Sequence, residues 1–79
     1  MFYATMFDRF MSGWGKAEGK RNKFIVACDT YEQAETICRN ARTRDEMYNI
    51  RITTTKPRQR KGQLLTFKTY DQLGRMWKR

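Results

Sequence analysis

Four short segments of the chain carry the apolar pattern of β-strands. Residues 2–7 (FYATMF) are apolar on both alternating faces, which is typical of a central strand. Residues 24–28 (FIVAC) form a continuous apolar run, which indicates burial on both faces. Residues 49–55 (NIRITTT) alternate as a half-buried strand does, and residues 64–70 (LLTFKTY) follow them after a short connection. We therefore predict that the last two segments pair as a hairpin.

One helix is predicted between the second and third strands. Thr30 and Gln33 have the spacing of a capping box, and acidic side chains follow in the first turn. Arginines are concentrated near residue 44, where the helix dipole favours cations. The helix is expected to run over about residues 31–44. Four residues recur at the spacing of one buried helix face: Ala34, Ile37, Cys38 and Ala41.

The order of elements predicts one α+β domain that spans residues 1–79. We expect a two-layer arrangement with a sheet of about four strands, one main helix and the order β-β-α-β-β. The strand–helix–strand unit is expected to have parallel strands. Residues 71–79 are expected to form a short tail or helix that turns Leu73, Met76 and Trp77 inward. The open edges of such a small sheet also allow a homodimer.

Charge gives the strongest indication of a partner. The 79 residues include 17 Lys and Arg and 8 Asp and Glu, for a net charge of +9. Nearly all of the excess lies in residues 50–79, where Asp71 is the one acidic residue. A segregated basic surface predicts a polyanionic partner, which is nucleic acid, an anionic membrane surface or an acidic protein. No apolar run approaches the roughly 20 residues that span a bilayer, and the predicted helix has only a narrow apolar stripe of small residues, so no membrane partner is expected.

The sequence offers little for catalysis. It has no histidine, so the usual general base and metal ligand is missing. Cys28 falls in a strand and Cys38 on the apolar helix face, where both are expected to pack as small hydrophobic side chains. We therefore predict a protein that is not an enzyme and uses no metal and no cofactor. The N-terminus lacks the pattern of a signal peptide, so we expect a cytoplasmic location.

The connection between the last two strands is the first candidate contact surface. Its cations would follow a phosphate backbone and release condensed counterions, while the alternative is a solvated turn that protects a sheet edge. The arginines could also fork onto phosphate or a guanine edge. Four cations lie within six residues of this segment: Lys56, Arg58, Arg60 and Lys61.

The glycine-rich loop at residues 12–23 is the second candidate. Trp14 lies between two glycines and is predicted either to stack on a base or to fill a pocket on a protein. The alternative is that this ring covers the small core. Three cations of the loop would assist binding: Lys16, Lys20 and Arg21.

The segment 10–15 (FMSGWG), followed by a basic strand–helix unit, resembles small accessory proteins of bacteriophages and other mobile elements. The resemblance covers residues 7–52 in outline. Proteins of this kind include nucleic-acid binders and inhibitors of host defence, among them anti-CRISPR proteins. The resemblance implies a small non-catalytic binding protein that acts in the cytoplasm of a bacterial host cell. Its expected partner is nucleic acid or the nucleic-acid-binding face of a nucleoprotein complex, and the alternative is protein–protein inhibition of a host defence system.

Overall fold

A computed structural model describes residues 1–9 and 19–79 of the chain. It confirms the predicted α+β class, with one four-stranded sheet and one main helix. The elements are β1 (Phe2–Asp8), β2 (Arg21–Cys28), α1 (Tyr31–Arg42), β3 (Met47–Thr53) and β4 (Gln63–Thr69), followed by two 3-10 helices (Tyr70–Gln72 and Arg75–Trp77).

The strand order in the sheet is β3-β1-β2-β4. β1 is antiparallel to both of its neighbours, and β4 is parallel to β2. β2 and β3 therefore run in the same direction, as predicted, but β1 lies between them. The predicted hairpin of the last two strands is wrong, because β3 and β4 form the two opposite edges of the sheet.

Residues 54–62, called the connector here, join these two edges. The connector must pass three strand spacings, about 14 Å, and return about 20 Å along the strand direction. Nine residues extend to at most about 30 Å, so they have little length left for a compact turn. At the far end, the amide of Arg21 donates to the carbonyl of Gly62 at 2.9 Å. Gly62 has a φ of +81°, in the left-handed region that favours glycine.

The core lies between α1 and one face of the sheet. The buried helix residues are the predicted apolar set together with Asn40. They pack against alternate residues of the two central strands, including Met6 and Val26, which are fully buried. Asn40 is polar, but its side chain donates to the carbonyls of Thr36 at 3.0 Å and Trp77 at 2.8 Å. Asn40 therefore links the packing of α1 to the docking of the C-terminal tail.

The helix begins as predicted and ends two residues earlier. The amide of Gln33 donates to Oγ1 of Thr30 at 3.1 Å, and the Gln33 side chain accepts from the amide of Asp29 at 2.9 Å. The first bond satisfies an amide that the first helical turn leaves free, and the second fixes the residue that precedes the N-cap. At the other end, the hydroxyl of Thr43 donates to the carbonyl of Asn40 at 2.7 Å and closes the helix.

A β-bulge changes which side chains of β3 face the core. Thr5 is opposite Arg51 and Phe7 is opposite Tyr48, so β3 has one more residue than β1 between these pairs. Asn49 lies in the bulge with a φ of +55°, a conformation that Asn tolerates better than most residues. The bulge brings the ring of Tyr48 to the face that is not covered by α1, where it stacks on Phe7.

The C-terminal tail forms two short 3-10 helices instead of one helix. Leu73 separates them in an extended conformation, with a ψ of 147°. Leu73 and Trp77 pack against the core as predicted, whereas Met76 is 54% exposed and does not face inward. The ring of Trp77 lies 5.6 Å from that of Phe24, so the tail extends the core over β2.

Candidate nucleic-acid interface

The connector and the sheet face opposite α1 bound an open cleft of about 710 Å³. Thr5 of β1 and Thr53 of β3 contribute to the sheet side, and Pro57 and Gln59 contribute to the connector side. The side chain of Gln59 donates to the carbonyls of Arg60 and Gln63, which fixes the connector to the start of β4. The cleft is therefore bounded by a strand surface and by a segment that is tied to the sheet.

Five cations line the cleft, and none of the described carboxylates does. Two of them, on β2 and β3, share the face opposite α1 because side chains alternate along a strand. The other three alternate along the connector. The five are Lys23, Arg51, Lys56, Arg58 and Arg60. The ion pair found among the described residues joins Nη1 of Arg44 to Oε1 of Glu46 at 3.5 Å and involves none of these five cations.

The electrostatic consequence is visible at Lys23. Burial lowers the pKa of this ammonium group, and the positive charges of Arg60, Arg51 and Arg21 lower it further. Burial disfavours a charged group, and like charges nearby disfavour it again. A bound anion would counteract the repulsion among these cations, so the cleft has the electrostatic character of an anion site.

A layer of stacked aromatic and cationic groups covers one end of the same face. The rings of Phe7 and Tyr48 stack with centroids 5.5 Å apart. The guanidinium of Arg21 lies 4.4 Å from the Phe7 centroid, and that of Arg9 lies 4.8 Å from the Tyr48 centroid. Phe7 is only 5% exposed, so this ring is already covered and offers little surface for a ligand.

Phe67 presents the opposite situation. Phe67 is 43% exposed, and Nζ of Lys56 lies over its ring, 5.5 Å from the ring centroid. Three register pairs form a row across the sheet: Phe67 with Ile25, Ile25 with Thr5, and Thr5 with Arg51. Register partners point to the same face of a sheet. An exposed aromatic ring therefore lies on the same face as the cleft, beside one of its cations.

The structure brings together some of the predicted contact residues and separates others. Lys56, Arg58 and Arg60 line the cleft, whereas Lys61 is exposed outside the lining. Lys20 is also exposed and outside the lining, and Arg21 is engaged with Phe7. The predictions for Trp14 and Lys16 concern positions outside the described residues.

Sequence reasoning did not select Lys23 and Arg51 as contact residues. The predicted loop at residues 12–23 includes Lys23, but β2 begins at Arg21 and takes in this residue. Arg51 lies within a predicted strand, where a single charged residue is normally a solvated outward position. The available signal was alternation, since Arg51 lies between Ile50 and Ile52, which face the core. Alternation predicts that Arg51 faces away from the helix, but it does not predict that the connector passes over that face.

The two cysteines pack as predicted. Both are buried free thiols. Burial raises the pKa of Cys28 to about 11 and also raises the pKa of Cys38. Thiols of this kind stay protonated near neutral pH and react slowly. The described residues contain no group of three or more His, Cys, Asp or Glu side chains placed to hold a metal ion.

Comparison with known proteins finds no matching family model, no matching curated protein and no matching solved structure. Within the described part of the chain, no helix has the length and apolar character needed to cross a membrane.

Proposed function

We propose that this protein is a non-catalytic binder of nucleic acid and that the cleft under the connector is its binding site. The observation that carries the proposal is the set of five cations on the two sides of one cleft, with no described carboxylate among them. Such a set provides repeated contacts along a chain of phosphates. Arginine adds paired donors that match the geometry of phosphate oxygens.

The arrangement of the cations favours a polymer over a single small anion. Lys23 and Arg51 project from strands, whereas Arg58 lies on the connector, so the charges are spread along the cleft. A polyanion contacts such a series with successive phosphates, and each contact releases counterions to solution. The affinity for a polyanion therefore depends steeply on salt, which provides the test.

The test removes the three connector cations together. The variant K56Q/R58Q/R60Q is compared with the natural chain by fluorescence anisotropy on a labelled oligothymidylate of about 15 nucleotides, over a salt series. The three substitutions are expected to weaken binding more than about tenfold at low salt. The slope of log affinity against log salt should fall by about two units, since each lost phosphate contact removes about 0.7.

A matched control removes the same charge elsewhere. The variant R42Q/K68Q/R75Q also loses three exposed cations, none of which lines the cleft. Its slope should stay within about half a unit of that of the natural chain, because counterion release needs a contact and not only net charge. Equal losses in the two variants would mean that the total charge attracts the polymer without a site, and absence of binding by the natural chain would contradict the proposal.

The origin and the biological partner stay predictions. The resemblance to accessory proteins of bacteriophages adds nucleoprotein complexes to the candidate partners. The alternative, an inhibitor of host defence that meets an acidic protein patch, predicts a stoichiometric protein partner that remains bound after nuclease treatment. Loss of every partner on nuclease treatment would instead support nucleic acid.

A further inference from the structure

We infer that the cleft takes a single nucleic-acid strand rather than a duplex, with a base stacked on the ring of Phe67. The inference rests on the proposed function and names the form of nucleic acid that the site accepts. Three features carry it: cations on facing walls, a cross-strand row that runs from Arg51 to Phe67, and the availability of the Phe67 ring for stacking.

The first feature is the placement of cations on two walls. Lys23 and Arg51 belong to the sheet, while Arg58 and Arg60 belong to the connector that passes over it. Phosphates that contact both walls must lie between them. The connector would stand between a duplex and the sheet cations, so a duplex would meet mainly the outer rim, where fewer of the five cations are within reach.

The second feature is the cross-strand row that begins at Arg51. The register places Thr5, Ile25 and Phe67 in succession beside it, one residue on each strand. Three strand spacings amount to about 14 Å. The row thus places a cation at one edge of the sheet and an exposed aromatic ring at the other, within the span of a few nucleotides of one strand.

The third feature is that Phe67 is available for stacking. It is 43% exposed, whereas Phe7 on the same face is 5% exposed beneath Arg21. A base needs an open ring face, and an adjacent cation strengthens the contact with the phosphate that follows. Nζ of Lys56 lies over this ring, 5.5 Å from its centroid, but on a flexible and exposed side chain that can move aside for a base and contact the phosphate. A duplex keeps its bases paired and stacked, so it cannot use this ring.

The test compares two substitutions on β4. Phe67→Ala removes the ring, and Lys68→Gln, at the next position, serves as the control because neighbouring residues of a strand point to opposite faces. Binding is measured by fluorescence anisotropy at one fixed salt concentration with an oligothymidylate, an oligouridylate and a DNA duplex of equal length. Urea unfolding of each variant verifies that the fold is retained.

The natural chain is expected to bind the single strands at least about tenfold more tightly than the duplex. Phe67→Ala should lose about tenfold in affinity for the single strands and leave duplex binding unchanged, while Lys68→Gln should change neither by more than about twofold. The two single strands distinguish DNA from RNA as the source of the ligand.

Each contrary result has a separate meaning. Equal affinity for duplex and single strand, or no effect of Phe67→Ala on a folded variant, would overturn this inference and leave the proposed function standing. Failure of the natural chain to bind any of the three probes would overturn the proposed function itself.

Discussion

Lys23 is a residue at which burial and neighbouring positive charges both disfavour the charged form. Its side chain projects from β2 into the cleft, where desolvation and then Arg60, Arg51 and Arg21 lower its pKa below 10.5. The protonated form is the one that attracts phosphate. Binding of an anion and binding of the proton must therefore favour each other.

This coupling predicts a pH dependence with a definite sign. As the pH rises through the lowered pKa of Lys23, the ammonium group loses its proton and the affinity for nucleic acid should fall. An arginine keeps its charge over the whole alkaline range, so the affinity of the Lys23→Arg variant should not show this fall. The measurement is oligothymidylate affinity at constant ionic strength between about pH 7 and 10. An identical pH profile for the two proteins would contradict the coupling between proton binding at Lys23 and nucleic-acid binding.

At the level of elements, the helix and the C-terminal tail depend on one buried amide. Asn40 is 9% exposed and donates both to its own helix and to the carbonyl of Trp77. Arg44 also lies over the Trp77 ring, at 4.2 Å from its centroid. These contacts hold the tail against the end of the helix, which keeps the ring over Phe24.

We expect Asn40→Ala to reduce the free energy of unfolding by about 1–3 kcal/mol, since it removes two hydrogen bonds and leaves one tail carbonyl without its donor. Urea unfolding followed by far-ultraviolet circular dichroism measures the change. Glu35→Ala is the control, because this exposed position lies on the same helix, and it should shift stability by less than about 0.5 kcal/mol. Equal effects of the two substitutions would contradict the role given to Asn40.

The elements themselves follow closely from the sequence, because each depends on local periodicity. The continuous apolar run around Ile25 and Val26 indicated a strand buried on both faces, and both residues are fully buried. The tail was harder to predict. Gly74 adopts an extended conformation between the two 3-10 helices, so the apolar spacing of Leu73 and Met76 did not continue as one helix.

Strand pairing was not predictable in the same way. A short connection between two strands is compatible with a hairpin, and no local signal says that β4 pairs with β2 instead. That choice depends on contacts distant in sequence, such as the hydroxyl of Thr66 donating to Oδ1 of Asn22 at 2.9 Å. The candidate site was hard to predict for the same reason, because Lys23 and Arg51 lie near the connector only once the strands have paired.

For the whole molecule, the two faces of the sheet have different roles. One face is covered by α1 and the tail, and it contains the apolar core. The other face bears the connector, the cleft and its five cations. The described carboxylates lie on the helix, near its ends, on the tail and at the end of β1. This separation of core and charge leaves one sheet face for a polyanionic partner.

The most direct test of the account is a titration of the ¹⁵N-labelled protein with a short oligothymidylate, followed by amide chemical shifts. The account predicts that the largest shifts occur at Lys23, Arg51 and the connector, with smaller changes along the exposed side of α1. Shifts concentrated on α1 and the tail, with the connector unchanged, would contradict the assignment of the cleft as the nucleic-acid site.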